Sequence, residues 1–224
     1  MIPLLAGVSC LLCLLLFPKR VLASSRLLSA GVARADITPD PAMLNWVDQK
    51  PYDGVLDPLH VHALSLTDGQ TDATLICLDV IDVTEEALVG IRRAVHTSTG
   101  ISESNVLVSA SHTHSGPRSP FNGASLSPRR AEKYKIILED PVFQSWAKQL
   151  PEACAEVAKK AAEERVEVTA SIGRADAGQW LFNRRPIDPE GNVVSTLHPD
   201  NPNCLPSGLR FGVVDPTLTA LRFQ

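Results

Sequence analysis

The sequence predicts a mixed α/β fold: a mixed sheet organised around a βαβ unit, with flanking helices. Three observations predict it. Residues 73–81 are a nearly continuous apolar run of strand length, residues 84–97 repeat apolar side chains at helical spacing, and residues 105–111 return to a short apolar strand. A connection of that length cannot be a hairpin. It joins parallel strands, and such crossovers are right-handed.

The remaining elements follow in chain order. Residues 1–23 stand apart from the fold. From Ile2 to Phe17 the chain is apolar and uncharged, then come Lys19, Arg20 and Val21-Leu22-Ala23-Ser24. Val and Ala at those positions suit a signal-peptidase cut after Ala23, which predicts a secreted, periplasmic or extracellular protein. The alternative is an uncleaved N-terminal anchor, although the apolar run is short for a membrane span. Residues 30–37 read as a first strand. The loop that follows, near residues 40–57, lies among Pro39, Pro41, Pro51 and Pro58. Residues 59–67 alternate as a strand and Asp68-Gly69 turns the chain.

The apolar run at 73–81 reads as a strand buried on both faces. For the helix after it, Asp82 is the expected N-cap, with Glu85 as its reciprocal partner and Gly100 as the stop. Residues 115–130 are rich in Ser, Pro, Gly and Arg and read as a loop. Asp140-Pro141 opens a second helix, whose apolar face runs through Phe143, Trp146, Leu150, Cys154, Val157 and Ala161. Pro151 is expected to kink or split it. Residues 166–173 and 217–223 read as strands, the second poorly protected at an edge, and residues 174–213 show little periodicity.

Composition narrows the function. The 224 residues hold 44% hydrophobic and 21% charged side chains, enough for one sizeable core. A net charge of −4 lacks the basic face of a nucleic-acid binder. Of the five cysteines, Cys10 and Cys13 fall in the leader. Cys77, Cys154 and Cys204 are too few and too odd for a disulfide framework.

Two motifs carry chemistry. His112-Thr113-His114 follows the second parallel strand, at the carboxyl edge where open α/β sheets place their sites. In an extended segment, residues two apart point the same way, so both imidazoles should enter one space. Asp79 and Asp82 open on the same edge, and two imidazoles with nearby carboxylates suit a metal and a base. The alternative is a polar pair satisfied by backbone groups or water. His60-Val61-His62 is a second such pair, expected mid-sheet, while His96 and His198 read as surface residues. In Asn183-Arg184-Arg185-Pro186 a fixed guanidinium could hold a carbonyl oxygen or an oxyanion, or simply close a surface loop.

Five blocks together resemble the neutral/alkaline non-lysosomal ceramidases. They are Gly31 to Pro39, Asp57 to Leu64, Asn105 to Pro117 with its Ser-His-Thr-His-Ser-Gly-Pro core, Asn183 to Pro186, and Asp215 to Phe223. Arg185 stands where the family carries Ser. The resemblance implies zinc-dependent hydrolysis of the N-acyl amide of ceramide to sphingosine and a fatty acid. It implies that His112 is a zinc ligand and that His114 and Arg184 line the site, with ceramide or a similar N-acyl lipid met at a membrane surface. The family's other ligands, a second His, a Glu and a Tyr, have no counterpart before Gln224. The resemblance therefore implies an incomplete N-terminal part of a larger catalytic domain, with Zn2+ held weakly and little or no turnover by this chain alone. The other readings are a ceramidase-like hydrolase with another substrate, and a non-catalytic secreted domain of the same fold.

Overall fold

The computed structural model describes residues 27–121, 126–194, 205 and 207–224. The expected leader and His198 lie outside them. Among the described residues no helix is long and apolar enough to cross a membrane.

The centre is a five-stranded mixed sheet. Its strands are β1 (Leu28–Asp36), β2 (His60–Thr67), β3 (Asp72–Leu78), β4 (Val106–Ala110) and β5 (Val166–Val168), in the order β4-β3-β2-β1-β5. β3 and β4 are parallel and the other pairs antiparallel. The crossover between β3 and β4 is helix α1 (Glu85–Thr99), as the sequence predicts. Its cap differs. Thr84, not Asp82, is the N-cap, its hydroxyl accepting from the Ala87 amide, and Asp82 is engaged elsewhere. Gly100 ends the helix with φ 76°, the left-handed conformation that glycine adopts without steric cost.

Helix α3 (Pro141–Glu163) lies beside α1 on one face of the sheet. Together they bury Val61, Ala63, Ile76, Leu78 and Val106 under Ala87, Ile91, Val95, Leu150, Cys154 and Val157. Each large aliphatic side chain there contributes about 1.5–3 kcal/mol by leaving water. Burial pushes the Cys154 thiol up to about 12, so it stays a neutral core residue. α3 runs unbroken through Pro151, which costs it one backbone hydrogen bond but does not split it. Asp140 caps α3 by accepting from Val142, and its second oxygen takes the Leu44 amide, tying the long first loop to the helix. The Trp146 indole donates to the Ile37 carbonyl at 2.7 Å and anchors the end of β1 to α3.

Helix α2 (Pro128–Leu138) was not expected. It buries Tyr134 and Ile137 against Met43, Phe121 and Phe143 in a second, smaller core. The segment read as one strand over 166–173 is two. β5 closes the main sheet, and β6 (Ala170–Asp176) pairs with β9 (Thr217–Phe223) in a separate ribbon. β9 is therefore paired along seven residues, yet it stays an open edge of a two-stranded ribbon, exposed at every residue but Phe223. β7 (Asn183–Ile187) pairs with β8 (Arg210–Gly212).

The sequence reading of β3 as buried on both faces fails. Its residues alternate, because helices cover one face only. On the other face Val32, Leu75 and Leu107 are 66%, 38% and 55% exposed. Cys77 is half-buried on that open face, not in the core.

Gly31 marks the tightest contact between layers. A Cβ there would lie 2.1 Å from the Ala161 carbonyl oxygen, so the last turn of α3 meets β1 backbone to backbone. Below it, Arg165 donates to the buried Ser65 hydroxyl and pairs with Asp72 at 2.7 Å. Gly31→Ala is expected to cost at least about 2 kcal/mol of unfolding free energy, since two backbone segments must separate. Gly173→Ala, whose added methyl meets nothing within 4 Å, should be near neutral. Chemical denaturation of both variants checks this.

Candidate functional site

β4 stops where the Ser111 amide bonds the Leu78 carbonyl. The next residue, His112, turns left-handed with φ 62°, a conformation that costs a side-chain-bearing residue energy and concentrates at functional positions. Its Nδ1 faces the Ile81 carbonyl oxygen. A carbonyl oxygen can only accept, so Nδ1 carries a proton, and in the neutral ring Nε2 keeps its lone pair. The Nε2 atoms of His112 and His114 are 3.4 Å apart and the rings meet edge to face. The two imidazoles do converge, but through a turn rather than an extended strand.

With Zn–N bonds of 2.0–2.1 Å, two nitrogens on one tetrahedral ion lie about 3.4 Å apart. The pair therefore suits either a shared ion or a proton hand-off between rings. Trp46 packs edge-on against His114, its centroid 5.4 Å away. Both histidines are exposed. Gly116 turns the chain back against the Asp79 carbonyl, and Pro117 accepts the Ile81 amide, pinning the loop to the end of β3.

The two carboxylates expected beside the pair go elsewhere. Asp82 forms an ion pair with Arg118 and accepts the Ser119 amide. Arg118 lies over the rings of Phe121 and Tyr134, so Asp82 fastens the loop to the smaller core. Asp79 turns toward β2, where it forms a group of three with His60 and His62 whose ligand atoms all lie within 4.8 Å of one another. Among the described residues this is the one such group; none surrounds His112. Sequence spacing showed the His60/His62 pair but could not supply Asp79, which arrives through strand register. Arg184 lies in β7, outside the five-stranded sheet, and its side chain is not among those described. The neighbouring Asn183 side chain donates to the Val213 carbonyl.

Beside the histidine loop is a cavity of about 560 Å3, lined by Thr38, Pro39, Tyr52, Leu56, Thr113 and Ser115. The buried Tyr52 hydroxyl has no hydrogen-bond partner among the described residues, and burial pushes its pKa up to about 12. A phenol whose folded pKa exceeds its unfolded value of 10.0 contributes stability that is complete below pH 10 and lost as pH climbs toward 12. Tyr52→Phe should therefore flatten the fall in stability between pH 10 and 12, read from denaturant midpoints across that range. An unchanged slope would show that Tyr52 is not buried in solution.

No protein-family model matches the chain, and no curated protein matches it significantly. Solved structures do. A neutral ceramidase from Pseudomonas aeruginosa superposes with TM-score 0.61 at 15% identity, over 88% of this chain and 29% of that one. A ceramidase complexed with C2 gives TM-score 0.60 at 16% identity with the same coverage. The chain thus spans 29% of the length of these ceramidases, and the likeness is one of fold. It has a mixed α/β, ceramidase-like fold.

Proposed function

We propose that this chain is the N-terminal part of a secreted, zinc-dependent amidohydrolase of the neutral ceramidase type, acting on ceramide or a similar N-acyl lipid. One observation carries the reading: on a fold similar to ceramidases, the carboxyl edge of β4 presents His112 and His114 with their Nε2 atoms 3.4 Å apart. A ceramidase complexed with C2 among the structural neighbours supports a lipid amide as substrate class. Residues 1–23 would direct export, and contact with a membrane surface would come through the substrate.

The donor chemistry at His112 fits zinc. The Ile81 carbonyl holds the Nδ1 proton of His112, the arrangement by which backbone carbonyls orient metal-ligating imidazoles. His112 thus fits one ligand position. When bound, zinc supplies Lewis acidity toward an amide carbonyl and acidifies a water molecule. His114 would take and return a proton at Nε2, its ring packed edge-on against Trp46. Arg184 would donate to the oxygen that gains charge as the amide is attacked. The cavity beside Thr113 and Ser115 offers apolar walls for an acyl chain.

The test is a single-turnover assay with protein in excess over a fluorescent short-chain ceramide and Zn2+ present. Slow release of sphingosine is expected. His112→Ala should lower it at least ~100-fold, and His114→Ala by ~100-fold or more. Release that is indifferent to His112, or Zn2+ binding left unchanged by His112→Ala, would overturn the reading.

A further inference from the structure

We infer that His60, His62 and Asp79 form a second metal site, for a divalent ion of the Zn2+ class, on the open face of the sheet. The inference does not rest on the function proposed for His112 and His114.

The backbone brings the three together. His60 and His62 are two apart on β2 and so share a face. Asp79, just past β3, lies opposite His60, its amide donating to the His60 carbonyl at 3.0 Å. One Asp79 oxygen accepts the His60 amide at 3.0 Å, which orients the carboxylate and leaves its second oxygen for an ion. The imidazole centroids are 5.7 Å apart and one ligand atom of each residue lies within 4.8 Å of the others. Closing these to the roughly 3.4 Å of a tetrahedral ion needs only side-chain rotation, and His62 is exposed.

The chemistry selects the ion. Two imidazole nitrogens and one carboxylate oxygen suit zinc and similar borderline divalent ions better than the all-oxygen preference of Ca2+ or Mg2+. Three protein ligands leave the fourth position open to water or a small ligand. Asp36, across β1 from His60, adds the outer carboxylate that such sites use to orient a ligating imidazole. Its carboxyl is held below the usual range, first by the Thr38 hydroxyl and amide and in smaller part by His60. Arg34, across from His62, carries a positive charge, against the two carboxylates of Asp36 and Asp79. Cys77, the register partner of His62 on β3, lies outside the triad.

The test uses the whole chain with His112→Ala and His114→Ala combined, so that the other pair cannot bind. Zn2+ titrated calorimetrically into that protein should still bind at one equivalent. Adding His62→Ala or, separately, Asp79→Asn should weaken it at least ~10-fold, and Zn2+ should raise the thermal unfolding midpoint of the first protein but of neither triple variant. Because His62 is exposed, His62→Gln provides a version that keeps the fold. The inference is overturned if the double variant binds no zinc, or if zinc binding survives both His62→Ala and Asp79→Asn unchanged. Zinc binding left undiminished by His112→Ala alone would instead overturn the zinc ligand assigned above and leave this one standing.

Discussion

Everything near the candidate site depends on the parallel pairing of β3 with β4. Parallel neighbours cannot be joined by a tight turn, so the chain spends α1 on the crossover and both strands end at the same edge. That single requirement brings the segment after Leu78 and the segment after Ala110 side by side. It lets the Leu78 carbonyl stop β4, the Ile81 carbonyl seize His112, and the Pro117 carbonyl hold the Ile81 amide. The backbone of β3 and its continuation is the template on which the histidine loop is cast.

The same edge divides its polar residues between two clusters. His60 begins β2, which runs antiparallel to β3, so it also lies at this edge. Asp79 serves the β2 side, while Asp82 anchors the loop through Arg118 and Ser119. The His112–His114 pair is therefore left with ring nitrogens and no carboxylate of its own among the described residues. Its polarity comes from the proton fixed on Nδ1 rather than from added negative charge.

Much of the fold was legible because its strongest signals are local. A continuous apolar strand, a 3.6-residue period and a terminal Gly specify β3, α1 and α1's end without knowledge of the partners. The failures have physical reasons. α2 buries only Tyr134 and Ile137 among Arg129, Arg130, Lys133 and Lys135, too thin a stripe to register, although Ser127-Pro128 was an available start signal. Residues 166–173 look continuous, but at Thr169 the backbone bonds Gln224 instead and the chain changes sheets. An apolar run states that a strand has apolar residues on both faces, not that both faces are covered; Leu75 and Leu107 are therefore exposed. At the site, His112 and His114 were readable from spacing, whereas the turn that joins them and the choice made by Asp79 come from contacts distant in sequence.

The Ile81 carbonyl sets the tautomer of His112 within the fold itself. Long-range proton–nitrogen NMR correlations of the imidazoles, recorded on metal-free protein above the pH at which His112 is protonated, test it most directly. A neutral His112 protonated at Nδ1 with a bare Nε2 is the expected result. A His112 protonated at Nε2, or one exchanging freely between tautomers, would contradict it.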